Sequence, residues 1–188
     1  MKRSIKIKQH DVTDCGAACL ASVCAHYGLK VPVARIRQYA YTDQKGTNIL
    51  GMVEAAQKLG FSAKGVRGVY DALSMIPIPA IAHVVIKEVL HHFVVLYKIS
   101  KKGVVYMDPA DGEIHKATRQ EFEKMWTGIL VILEPNETFE KGNEKVSMTI
   151  KFLQLLAPHK NMMTQALFGA LIYSVLGLSV SVYVGKIT

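Results

Sequence analysis

Cysteine is scarce in this chain and poorly placed for cross-linking. Only Cys15, Cys19 and Cys24 occur in 188 residues, crowded into one stretch. An odd, clustered set is no disulfide framework, and it points to a reducing compartment. The spacings also lack the short paired knuckle of structural zinc sites, so no metal site is expected. Acidic residues are few as well, 15 against 23 Lys and Arg, for a formal net charge of +8. No Lys/Arg run is interleaved with aromatic residues as a stacking platform for nucleic acid would require, so nucleic acid is not an expected partner. The charge suits a cytosolic face beside an anionic membrane. The opening "MKRSIKIKQHDV" has no apolar core and is not a secretory signal. Nowhere does G-x-x-x-x-G-K-[ST] occur. "VGKIT" lacks both the upstream Gly and the Ser/Thr after Lys, so these residues cannot carry ATP binding.

Up to about residue 135 the chain alternates helical and extended patterns. "CGAACLASVCAHYG" predicts a helix from Cys15 to Tyr27, capped by Thr13 or Asp14 and stopped by Gly28. "PVARIRQYA" predicts a short helix with Pro32 near its start. "TNILGMVEAAQKLG" predicts another, capped by Thr47 or Asn48 and ended by Gly60. "FSAKGVR", "PAIAHVVIK", "HHFVVLYKIS", "GVVYMD" and "GILVILE" are rich in β-branched and aromatic residues and are separated by turn signals such as "KKG" and "ADG". One helix, Thr118 to Trp126, interrupts these strands. Helices first and mostly sequential strands afterwards define an α+β domain over residues 1–135.

Residues 136–147 are polar and read as a linker. Residues 148–160, within "VSMTIKFLQLLAPHK", read as an amphipathic juxtamembrane helix. No charge then occurs between Lys160 and Lys186, so residues 161–185 are expected to form a transmembrane helix. Lys145, Lys151 and Lys160 precede that segment and place the N-terminal domain on the cytoplasmic side. On this reading the chain is the front of a longer membrane protein.

Cys15 raises the chemical question. At a helix start, the first-turn amides and the helix dipole favour a thiolate, and the following "GAA" leaves room for a substrate backbone. Cys19 and Cys24 lie deeper among Ala, Leu and Val and read as small core residues. A nucleophilic cysteine needs a base, and the base an orienting group. His91 and His92 open one strand, and two-residue periodicity does not choose between them. Asp108 ends the next strand after a tight turn, so it can lie beside either histidine and hold its tautomer. Asp111, in the "ADG" turn, reads as a surface carboxylate. Gln9, six residues before Cys15, could join the Cys15 backbone N–H in an oxyanion hole. Taken together, Gln, helix-opening Cys, His and Asp follow the order of a papain-like thiol protease.

"QHDVTDCGAACLASVCAHYG" resembles the opening motif of the C39 peptidase family, and the likeness continues through "GTNILGMVEAAQKLGFSAKGVRG", "HHFVVLYKI", "YMDPADG" and "WTGILVILEP". The resemblance implies a papain-like cysteine peptidase fold, with Cys15 as nucleophile and Gln9 as oxyanion-hole donor. It implies His92, directly before Phe, as base in preference to His91, and Asp108 of "DP" as its orienter. It further implies an N-terminal cytoplasmic peptidase domain of a plasma-membrane ABC exporter that cleaves double-glycine-type leaders from bacteriocin or signalling-peptide precursors. Its partners would be that precursor peptide, the lipid bilayer and a second copy in a homodimeric exporter. No cofactor is implied for the peptidase; ATP and Mg would belong to a nucleotide-binding domain outside these residues. His10 departs from the family pattern without touching the catalytic set. A module that binds leaders without cutting them is the alternative, and an acyl- or glutamyl-transferring enzyme with the same Cys-His-Asp set is a third reading.

Overall fold

Helix α1 (Cys15–Tyr27) is buried at every position from Cys15 to Cys24, as expected of a helix that is apolar all round. It ends on Gly28 at φ 101°, a left-handed C-terminal stop open to glycine. Its N-terminus is built one step earlier than the sequence suggests. Asp11 caps a 3-10 turn over Val12–Asp14 through a capping box with Asp14. Asp14 itself makes no side-chain cap bond to α1.

The structure, a computed structural model, describes residues 4–44, 46–87, 89–144 and 157–187. The chain forms two bodies, Met1–Lys145 and Val146–Thr188. In the first, a short strand β1 (Leu29–Lys30) leads to α2 (Val33–Tyr39) and α3 (Ile49–Lys58). Asn48, rather than Thr47, caps α3, its side chain accepting from Gly51 N at 2.7 Å. Six antiparallel strands follow: β2 (Phe61–Arg67), β3 (Ala80–Ile86), β4 (Leu90–Ser100), β5 (Gly103–Asp108), β6 (Glu113–Thr118) and β7 (Trp126–Pro135). Their order in the sheet is β2-β7-β3-β4-β5-β6. Helix α4 (Arg119–Met125) precedes β7 and is capped by a Thr118–Glu121 box.

The sheet carries an apolar cluster on each face. On one, α1 and α3 pack through Leu20, Val23 and Met52 against Ile81, Val95 and Met107. On the other, Phe122 of α4 and Tyr70 of a 3-10 turn pack against Val94, Leu96 and Leu130. This is the expected α+β arrangement. Strand β6 and the Tyr70–Met75 turn were not foreseen. "EIHKAT" lies at the edge of the sheet with no fully buried position, so it lacks the apolar alternation that marks a strand.

The segment expected to be a linker from 136 stays attached to the domain as far as 144. Phe139 meets Phe61 edge-on at 4.7 Å. Strand β8 (Gly142–Asn143) pairs in parallel with β1, and Glu144 forms an ion pair with Arg35 at 2.7 Å. Residues 145–156, which hold most of the expected juxtamembrane helix, lie outside the described residues. Described by itself, the second body has a 3-10 turn at Ala157–His159 and helix α5 (Lys160–Ile187). The expected span 161–185 is therefore helical. Among the described residues, however, no helix is long and apolar enough to cross a membrane. Lys160, Asn161, Thr164 and Gln165 make the first turns of α5 polar.

Candidate active site

Cys15 is the first residue of α1 and only 6% exposed. Three contacts hold this helix start. Asp14, 2% exposed, accepts from Asp11 N at 3.2 Å and pairs with Arg37 of α2 at 2.8 Å. Gly16 lies so close to α3 that a Cβ there would sit 2.9 Å from both Thr47 Cβ and Met52 Cε. Asp14 was read only as a possible cap, and Asp11 and Arg37 were not singled out; the D-x-x-D spacing of a capping box was the visible signal for Asp11.

His92 and Asp108 lie just past the last β4–β5 pair, Val95 with Met107. Beyond it, side chains bridge the strands: His92 Nε2 and Asp108 Oδ1 are 2.8 Å apart. Asp108 also accepts from Ala110 N at 2.8 Å, which fixes its carboxylate. Burial disfavours charge on His92, but hydrogen bonds to Asp108 and Cys15 outweigh it and raise its pKa to about 9. Burial likewise opposes charge on Asp108, and its hydrogen bonds to His92 and the Ala110 amide carry the pKa below the ordinary carboxylate value. With Nε2 engaged by Asp108, Nδ1 is the ring nitrogen left for Cys15. The pair is therefore poised as an imidazolium beside sulfur at neutral pH.

Strict alternation would send His92 with Val94 and Leu96 into the second cluster. It instead reaches Cys15, a member of the first. His91 does not join this set. Its Nδ1 lies 3.3 Å from His83 Nε2.

Gln9 is held beside the same strand end, its backbone N–H donating to Pro109 O at 2.8 Å. Its side-chain Oε1 is buried without a hydrogen-bond partner among the described residues. Asp111 stays at the surface, half-exposed and paired with His115. Cys19 donates to Phe93 O at 3.3 Å, and burial drives its pKa well up. Burial raises Cys24 to about 12. Both are core thiols. Among the described residues no group of three His, Cys, Asp or Glu converges as metal ligands would.

A groove of about 490 Å³ opens beside Cys15, with Val12, Asn48, Leu90 and His91 on its walls. A thiol at a helix start, an imidazole with a carboxylate behind it and an open groove beside the sulfur are arranged as covalent acyl chemistry requires.

Helices packed on an antiparallel sheet, with the cysteine at the first helix and the His–Asp pair at the strand ends, define the papain-like class of α+β domains. The Peptidase C39 family matches residues 3–138, and this chain belongs to that family. It is 35% identical over 83% of its length to the lactococcin-G-processing and transport ATP-binding protein LagD of Lactococcus lactis subsp. lactis, of which it covers 22%. The chain thus spans under a quarter of that relative. The peptidase domain of Streptococcus ComA, described as a bifunctional ABC transporter involved in quorum sensing, superposes with TM-score 0.67 at 33% identity, covering 71% of this chain and 100% of that one. A double-glycine-motif protease from an AMS/PCAT transporter, solved in complex with the leader peptide, gives TM-score 0.66 at 34% identity, covering 72% and 94%.

Proposed function

We propose that this domain is an active cysteine endopeptidase that cleaves a leader peptide after a small-residue pair of the double-glycine type. The observation that carries the reading is the Cys15–His92–Asp108 contact chain at the wall of an open groove. Cys15 attacks the scissile carbonyl as the thiolate, its proton held on His92. The oxyanion is held by the Cys15 backbone N–H and, in this proposal, the Gln9 side-chain amide. His92 gives its proton to the leaving amine, and Asp108 keeps the ring oriented throughout. Water gives a proton to the now neutral His92 and its oxygen attacks the thioester; the C–S bond breaks, and Cys15 is released as the thiolate beside protonated His92. No step requires a cofactor.

The relatives' names speak of processing and transport by ATP-binding proteins. We infer from them that this domain serves an exporter, homodimeric when whole, with the peptidase on the cytoplasmic side of the plasma membrane. ATP and Mg would act in a nucleotide-binding domain outside these residues. Helix α5 leaves Leu167, Phe168, Leu171, Ile172 and Tyr173 exposed, an apolar surface that suits cover by a bilayer.

The test is cleavage of a peptide bearing a Gly-Gly leader, followed by mass, for the chain and for Cys15→Ala. A single cut after the small pair that Cys15→Ala abolishes is the expected result. Equal binding by both proteins with no cut by either would assign a leader-capture module instead. An amine adduct in place of a free carboxylate would assign acyl transfer.

A further inference from the structure

His83 and His91 take no part in the chemistry above, yet both line the groove that holds Cys15. They are diagonal neighbours across β3 and β4, where His83 faces Phe93 and Val85 faces His91. Their rings are nearly parallel, 19° apart with centroids at 5.2 Å.

A bulge brings a third residue to them. Ala82 pairs with Leu130 and Val84 with Trp126, so β7 has three residues where β3 has only His83. Bulges beside active sites commonly re-aim a side chain. Here the bulge delivers Thr127, whose Oγ1 lies 2.8 Å from His83 Nδ1.

The protons can be counted along this chain. Thr127 spends its one O–H on His83 O, at 3.1 Å. Its oxygen must then accept from His83 Nδ1–H. A neutral His83 therefore carries its lone pair on Nε2, which accepts from His91 Nδ1–H at 3.3 Å. Among the described residues, that leaves the Nε2 lone pair of the exposed His91 ring unspent at the groove wall. Burial, then the neighbouring His91 and His92, lower the His83 pKa and keep its ring neutral. Leu90 and Val89 are exposed beside His91.

We propose that His91 is a substrate-positioning residue whose Nε2 accepts a backbone N–H of the peptide lying beside Cys15, with His83 and Thr127 holding its tautomer. This rests on the peptide reading above and names a specific contact within it. Protonating either ring removes the acceptor: His91 gains Nε2–H directly, or a protonated His83 forces His91 to put its proton on Nε2. The ionisable groups facing this pair among the described residues are Cys15 and His92.

The test separates binding from cleavage by using the full chain carrying Cys15→Ala, with a fluorescent peptide spanning the Gly-Gly site and anisotropy as the readout. His91→Ala should weaken binding about 2- to 10-fold, the worth of one hydrogen bond. His91→Gln, which keeps a neutral acceptor, should restore most of it. Thr127→Val should weaken binding by a similar factor by freeing His83. A series of peptides N-methylated at successive backbone amides should show one position where methylation costs affinity with His91 present and nothing with His91→Ala. In the background that retains Cys15, His91→Ala should raise KM and leave kcat in place. Unchanged affinity in His91→Ala, or equal sensitivity to every N-methyl group in both proteins, overturns the inference while leaving the peptidase standing. Absence of any peptide binding overturns the peptide reading itself.

Discussion

Cys15 and Cys24 lie on one helix, and their surroundings are opposite. At the first turn Cys15 meets His92 and an open groove. Nine residues on, Cys24 is fully buried and its thiol is pushed up to about 12. Residue type and secondary structure are the same, so the difference comes from where the helix starts. α1 begins at the end of the sheet, beside strands that have stopped pairing with one another. Its body lies flat on the sheet, where only small apolar groups fit. In the proposed reading, reactivity belongs to the helix terminus, while the body of the helix supplies packing.

The sharpest way to break this comparison is substitution at its two ends. Cys15→Ala should abolish cleavage, a loss of at least about 10³-fold, with the fold retained. Cys24→Ala should keep cleavage within a few fold and lower stability by about 1 kcal/mol. Alkylation read by mass spectrometry should mark Cys15 in the folded protein and reach Cys19 and Cys24 only on unfolding.

Asp108→Asn should lower kcat by about 10²- to 10⁴-fold, because the ring loses its orienting acceptor and the proton its stabilising charge. It should also move the alkaline limb of the pH–rate profile down from about 9, the value to which its contacts bring His92. The sign follows from linkage. A histidine raised above its unfolded value adds stability that is complete below about 6.5 and lost as pH rises through about 9. Asp108, held below the usual carboxylate value, adds stability above that value and loses it as pH falls. Urea unfolding across this range, with and without Asp108→Asn, measures both limbs.

Smaller effects sharpen how the helix terminus is held. Gly16→Ala would place a methyl 2.9 Å from Thr47 and Met52, so it should cost about 1–3 kcal/mol and displace Cys15 from His92. Thermal melting and cleavage should fall together. Phe139→Ala should cost about 1–2 kcal/mol through its lost contact with Phe61 and leave cleavage unchanged. Unchanged melting there would show that residues 136–144 contribute nothing to the domain.

Much of this was legible in the residues. Five strands and four helices were placed within a few positions, because apolar periodicity and glycine or cap punctuation act locally. Gly28 and Asn48 are read from neighbours a turn away. Residues 136–144 read as a linker because their charge hides the long-range packing of Phe139 against Phe61 and Tyr27. Strand β6 was missed because an edge strand needs little apolar alternation. Asp14 was taken as a possible helix cap, yet it faces Arg37 on another helix, a pairing invisible at one-turn range.

By itself the sequence determined the class of domain and the placement of Cys15 at a helix start, and its family likeness implied His92 rather than His91 as the base. Tertiary structure decided how that choice is realised. The β4–β5 ladder stops at Val95 and Met107, and beyond it the side chains of His92 and Asp108 bridge the two strands at 2.8 Å. The bulge opposite His83 likewise delivers Thr127 from a strand more than forty residues away. Local patterns specify local hydrogen bonds. Where a ladder ends or slips is set by packing between segments far apart in the chain, and no short window of sequence contains both sides of that contact.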